Sequence, residues 1–354
     1  MKIKKLMTIL LALMLIVVMA ACGGNSGSEE AADAGEETSE AASGTPAIFA
    51  TQDLSDTCTV SKAGGYFEEY MGDGISVENF ASGRDINNAL KADSADFGGA
   101  YGICPVATAL TSGVDFKVIY IATRIQGTEG LVVREDAGIE SVKDLKGKKV
   151  GVTLASSGHY GLLCALEDEG MTADDIELVD MQPDAINAAW MRGDIDVAYT
   201  WNPTLINLKN NGGKVLLTVK DLAEKGHSTY NFYVVRTKYA EENPDQVVKF
   251  LKAVQKGAVQ YKEDQDTAIK MAADRLELEE DVVKEQMSDI YPTLEEQMSD
   301  DCFGSDNAAQ NLFNVASFLQ QNGQIDDAKD VEFFKSKIDT SYLEQAIKEL
   351  EEEE

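Results

Sequence analysis

Basic residues and histidine are scarce. Against 62 aspartates and glutamates the chain of 354 residues sets only 31 lysines and arginines, a formal net charge of −31 at neutral pH. Nucleic acid and anionic lipid surfaces reward clustered Lys and Arg, so both are excluded as main partners. Part of the acidic excess sits in the run Glu351-Glu352-Glu353-Glu354 and in an N-terminal stretch, but the body between them is acidic as well. An anion bound by such a body must be held by local dipoles and hydrogen bonds, not by a general basic field. The only histidines are His159 and His227, and the five cysteines show neither CxxC spacing nor a Cys/His cluster. A zinc site is therefore not expected, and no cofactor is either.

What is present begins with Lys2, Lys4 and Lys5, an apolar stretch from Leu6 to Met19, and then Ala20-Ala21-Cys22-Gly23-Gly24. A charged start, a short apolar core and small residues before a break read as a signal peptide over residues 1–21. Cysteine directly after Ala-Ala fits the lipobox pattern, in which Cys22 is diacylated and becomes the mature N-terminus. Residues 22–45 contain no aromatic or basic side chain, so they cannot bury enough apolar surface to offset chain entropy and read as a disordered acidic tether. The expected location is extracytoplasmic, with the membrane touched only through the lipid. Export permits disulfides, but the spacing of Cys58, Cys104, Cys164 and Cys302 fixes no pairing.

Beyond the tether, strand, loop and helix alternate from Ala47, and the pattern restarts near Ser141, which predicts two α/β units. The apolar runs Leu131–Val133 and Phe232–Val235 flank the second unit and read as two hinge strands. From Pro244 onward Val247, Val248, Leu251 and Val254 recur at near-helical spacing, and the later helical stretches are expected to return over the first unit. The expected domains are 46–133 with 234–354 for lobe 1 and 134–233 for lobe 2, closing as a clamshell on a ligand between them.

Two runs are specific: Ser156-Ser157-Gly158-His159-Tyr160, and the stretch from Gln182-Pro183 through Trp190-Met191-Arg192-Gly193 to Trp201-Asn202-Pro203. With Phe80-Ala81-Ser82-Gly83 and Gly102-Ile103-Cys104-Pro105 they resemble the taurine-binding proteins of sulfonate importers, within a larger family that also holds alkanesulfonate, nitrate and thiamine-pyrimidine binders. The resemblance spans roughly residues 46 to 325. It implies an α/β fold of the type II periplasmic-binding kind, a small organic anion as ligand, and an ABC permease with its ATPase subunit as partners. It also implies that backbone N–H groups and hydroxyls at loop-to-helix junctions meet the anionic head.

Ser82-Gly83 and Ser156-Ser157 sit at such junctions, where the helix dipole favours a negative ligand, although serine there also caps helices. The resemblance adds Gly102, Ile103 and Gln182. His159 and Tyr160 open a helix at the cleft. Trp201, lifted out of its strand by Asn202-Pro203, is expected as an aromatic wall, and Trp190 as core. Gln52 and Asp53 follow the first strand, where a loop closes over the ligand. Taurine binders carry an acid at the place of Asn231, able to pair with an ammonium; the neutral amide here points to a sulfonate with a neutral polar tail. Two other functions fit parts of the pattern. A sensor module would need the same clamshell, and a secreted hydrolase would use Ser156 or Cys164 with His159, but no acid accompanies that histidine in a catalytic motif.

Overall fold

In a computed structural model that describes residues 46–353, ten strands form two five-stranded sheets among the described residues. The expected signal peptide, Cys22 and the tether lie outside them. The first sheet holds β1 (Ala47–Thr51), β2 (Ile75–Asn79), β3 (Phe97–Gly102) and β4 (Phe116–Arg124). The second holds β5 (Glu129–Arg134), β6 (Lys149–Val152), β7 (Glu177–Asp180), β8 (Val197–Trp201) and β9 (Gly213–Thr218). Strand β10 (Tyr230–Arg236) returns to the first sheet, giving the orders β2-β1-β3-β10-β4 and β7-β6-β8-β5-β9. In each sheet one strand runs antiparallel between its neighbours: β10 between β3 and β4, and β5 between β8 and β9.

This topology moves the expected lobe boundaries. Leu131–Val133 is the middle of β5 and wholly part of the second sheet, while Phe232–Val235 lies in β10, inside the first. Both runs are apolar because they fill central slots covered on both faces, not because they bridge two bodies. The crossings are the short segment 125–128 and the longer segment 219–229. Backbone bonds knit them together: Ile125 N–H donates to Thr229 O at 3.1 Å and Lys220 N–H to Gln126 O at 2.9 Å.

The first sheet buries an aromatic cluster against the twenty-residue helix Pro244–Glu263. Phe250 of that helix stacks on Phe97 at 4.3 Å between centroids and meets Phe49 edge-on at 4.9 Å. Such pairs add about 0.5–1.5 kcal/mol beyond their area burial. In the second lobe Trp190 is fully buried with Ile186, Leu205 and Leu208, and its indole N–H donates to Asn211 O at 3.0 Å. The C-terminal helices cover the first lobe as expected, but one also reaches the second: Phe318 of Asn307–Gln321 meets Tyr160 at 5.3 Å. Cys58, Cys104, Cys164 and Cys302 are all buried free thiols. No described helix is long and apolar enough to cross a membrane.

Candidate ligand-binding site

The C-terminal strand ends of both sheets and the helices that follow them converge on a cavity of about 50 Å³ between the lobes. A water-sized group needs about 10–15 Å³ of such space, so the cavity suits a molecule of a few heavy atoms, not a drug-sized one. Its wall includes Gln52, Gly83, Gly102, Ser156, Ser157, Trp201 and Asn231.

One side of the cavity is built from helix N-termini. Gly83 opens the helix Gly83–Lys91, Gly102 precedes Ile103–Thr111, and Ser157 opens Ser157–Asp168. The first turns of three helices of nine to twelve residues thus present unpaired N–H groups and positive dipole ends to one space. Ser156 caps its helix, accepting from His159 N–H at 3.2 Å while donating to Thr153 O at 2.6 Å. Glycine at 102 is a packing requirement: a Cβ there would lie 2.5 Å from Ser157 Oγ of the other lobe and 3.6 Å from Asn231 Oδ1. Gln52 is tied down by donation from Nε2 to Ala100 O at 2.5 Å. Ala100 and Ala155, just before two of these helices, hold φ of +49° and +58°. Left-handed backbone at a residue bearing a Cβ costs about 1–2 kcal/mol and is typical of binding and active sites.

The cavity is also acidic. Asp56, Glu129 and Asp289 line the same cavity. Glu129 is 3 % exposed, and its Oε1 has no hydrogen-bond partner in the protein. Burial first, and then the neighbouring Asp289, push its carboxyl up to about 8. Asp289 is raised to about 6 by burial, against bonds from Gln126 N–H at 2.7 Å and Thr128 Oγ1 at 2.5 Å. Asp56, also raised to about 6 by burial, caps the helix Thr57–Ala63 by accepting from Thr59 N–H at 2.9 Å. Three buried carboxyls and the helix N-termini thus line one cavity, and Ser157, at one of those N-termini, lies within hydrogen-bond reach of Glu129.

Six expected site residues are not on this wall. Asp53 points outward, 3.0 Å from Lys62 Nζ and accepting from Asn79 at 2.7 Å. Ile103 is fully buried core, and Ser82, equally buried, donates to Asp85 at 3.0 Å. His159 stands two residues past Ser157, so a turn of about 100° per residue carries it to the opposite side of the helix, while Tyr160 lies one turn deeper along the helix. His159 is buried and held neutral, its ring pushed down to about 4 by burial despite Asp180. Tyr160 packs on Phe318. Gln182 belongs to the rim, donating to Asp85 of the first lobe at 3.3 Å, next to the Arg84–Asp180 ion pair at 2.9 Å. These bonds join the lobes outside the cavity.

The cavity wall sets hydroxyls beside carboxyls, Thr128 Oγ1 donating to Asp289 at 2.5 Å and Ser157 standing in hydrogen-bond reach of Glu129. None of the four described cysteines lines it, and burial pushes the Cys58 and Cys164 thiols up to about 12. Two α/β lobes around a small, buried, polar cavity define a two-lobed solute-binding protein of the type II periplasmic-binding class. The family model described as NMT1/THI5 like matches residues 57–268. The taurine-binding periplasmic protein of Escherichia coli (strain K12) is 31 % identical over 283 residues, 78 % of this chain and 86 % of that protein. This chain therefore belongs to the NMT1/THI5-like family. Its fold matches the alkanesulfonate-binding protein SsuA from Xanthomonas axonopodis pv. citri bound to MOPS, at TM-score 0.70 and 19 % identity over 85 % of this chain and all of that one. It also matches the periplasmic aliphatic sulphonate binding protein SsuA from Escherichia coli, at TM-score 0.67 and 24 % identity, covering 82 % and 97 %.

Proposed function

We propose that the protein captures a small organosulfonate carrying an amine, of the taurine kind, outside the cytoplasm and delivers it to an ABC permease with its ATPase subunit, performing no chemistry on it. The observation that carries this reading is the cavity's polarity. Helix N-termini around Gly83, Gly102 and Ser157 suit the sulfonate, as anions suit such ends generally. Glu129 and Asp289, on the same wall, offer carboxyl oxygens to an ammonium. In this reading Glu129 and Asp289, from other parts of the fold, supply the acid that the sequence lacks at Asn231. The name of the Escherichia coli relative points to the same ligand class.

Trp201 provides the direct test. With Trp190 sealed in the core, it is the tryptophan whose environment a ligand changes. Titration with 2-aminoethanesulfonate should alter emission of the wild type. Trp201→Ala should weaken binding by about 1–3 kcal/mol, the scale of a lost aromatic contact. Unaltered emission together with unaltered affinity in the folded variant would refute the site.

Lipid attachment at Cys22 completes the proposal: a tethered binding protein stays near its permease while free to move above the membrane. Cys22→Ser should move the protein from the membrane fraction to the soluble one with ligand affinity unchanged. A processed variant that stays with the membrane would show another anchor.

A further inference from the structure

Ser55 and Gln286 line the cavity and also a second, outer groove of about 600 Å³. Ser55 Oγ donates to Gln286 Oε1 at 2.5 Å, and the two residues are 8 % and 4 % exposed. Tyr291, on the cavity side, donates its hydroxyl to Ser55 O at 3.4 Å. Among the described residues these two are the ones that line both spaces, and they are bonded to each other, so together they form part of the wall between cavity and groove. On the far side Leu276, Leu278 and Val282 give the groove an apolar face, with Leu278 38 % exposed, and Pro203 of the second lobe stands across from them.

We propose that the Ser55–Gln286 pair is the length-determining wall of the ligand site, and that opening it lets the alkyl tail of a longer sulfonate run into the groove. The inference rests on the sulfonate reading above and adds what limits the ligand class. With the wall in place, a ligand whose head sits at the helix N-termini must end within the small cavity. A longer tail must break a buried hydrogen bond between two groups that then have no water to replace it, which is costly. Removing the amide of Gln286 takes away both the obstacle and the bond, and the groove's leucines supply a surface on which an alkyl chain loses its contact with water.

The test compares ethanesulfonate and hexanesulfonate by calorimetry against the full-length wild type, Gln286→Ala and Ser55→Gly, with folding checked by circular dichroism. Wild type should favour the short probe by about tenfold or more, and each variant should move that ratio toward the long probe by about tenfold, the effect of one lost steric and polar barrier. Ser55→Gly opens the wall from the opposite side, so it carries the test should Gln286→Ala fail to fold. An unchanged ratio in a folded variant that still binds ethanesulfonate overturns the wall while leaving the sulfonate reading intact. Absence of binding of either probe and of 2-aminoethanesulfonate by the wild type overturns both.

Discussion

Near neutral pH, binding of 2-aminoethanesulfonate should release close to one proton to the buffer, whereas ethanesulfonate should release none. The source is Glu129. Burial and the neighbouring Asp289 both disfavour its charge and push the carboxyl up to about 8, against a hydrogen bond from Ser157. It therefore carries its proton at neutral pH, while Asp289, at about 6, is mostly ionised. An ammonium placed between them reverses the balance for Glu129 and expels that proton. By linkage, affinity for the amine ligand should rise with pH, approaching about tenfold per unit below 8, and level off above. A sulfonate without an amine gains nothing from the carboxylate and is repelled by it, so its affinity should fall as pH passes 8. Calorimetry in buffers of different ionisation enthalpy reads the proton count directly. Equal proton release by both ligands would refute the assignment.

Glu129→Gln separates this role from a structural one. The amide keeps the shape, removes the charge and cannot release a proton, so the pH dependence should vanish and amine-ligand affinity at pH 8 should fall by about 10–100-fold, the worth of a charge-assisted hydrogen bond. The empty protein should respond in the opposite sense. Glu129 has a folded value above its ordinary one, so its contribution is fully present below the ordinary carboxylate range and is lost as pH rises through about 8. Asp56 and Asp289 behave alike up to about 6. Glu129→Gln removes the largest of the three losses, so the empty variant should melt higher than wild type at pH 8, by on the order of a few kcal/mol. A site held at the expense of stability is what buried, ligand-facing charge entails.

Which parts of this site the sequence reveals depends on how local their signals are. Ser156-Ser157 and Trp201-Asn202-Pro203 announce themselves because a strand end, a small-residue junction and a helix start lie within a few residues of each other. The acidic groups do not. Glu129 reads as the polar first residue of an apolar run, and Asp289 lies in the loop after the helix Glu280–Gln286, in a region whose periodicity says only that helices cover the first lobe. The bond between Thr128 and Asp289 spans 161 residues, and no spacing rule reaches that far. The same limit explains the hinge. An apolar run of three or four residues looks alike whether it bridges two sheets or lies inside one, and pairing partners decide. Asp53 shows the converse error: its position after β1 is right for a cleft loop, but it is Asp56 that turns inward, as a helix cap, while half-exposed Asp53 pairs with the buried Lys62.

Gly102→Ala should weaken binding by roughly 10–100-fold without unfolding the protein. The residue ends β3, pairs with Asn231 of β10 and caps the helix Ile103–Thr111, so three requirements of the fold meet there. None of them needs glycine: φ of −62° and ψ of 154° are ordinary for alanine, which rules out backbone strain as the reason for its presence. The reason lies across the cleft. An added Cβ would stand 2.5 Å from Ser157 Oγ and 3.4 Å from its Cβ, at the point where the two lobes come closest around the anion end. The hydroxyl can turn away, but then it no longer faces the ligand, and the methyl occupies part of a cavity with little space to give. Overpacking costs about 1–3 kcal/mol, here charged to the ligand-bound, closed arrangement, so affinity should drop by roughly 10–100-fold. Without a ligand to face, the Ser157 hydroxyl is free to turn away from the added methyl, so the melting temperature of the ligand-free variant should stay close to wild type. A variant that melts far below wild type would place the role of Gly102 in folding, and one that binds normally would place the sulfonate elsewhere in the cavity. Gly102→Ala combined with Ser157→Gly, which clears the opposing side chain, should recover part of the lost affinity if the contact across the cleft is the cause.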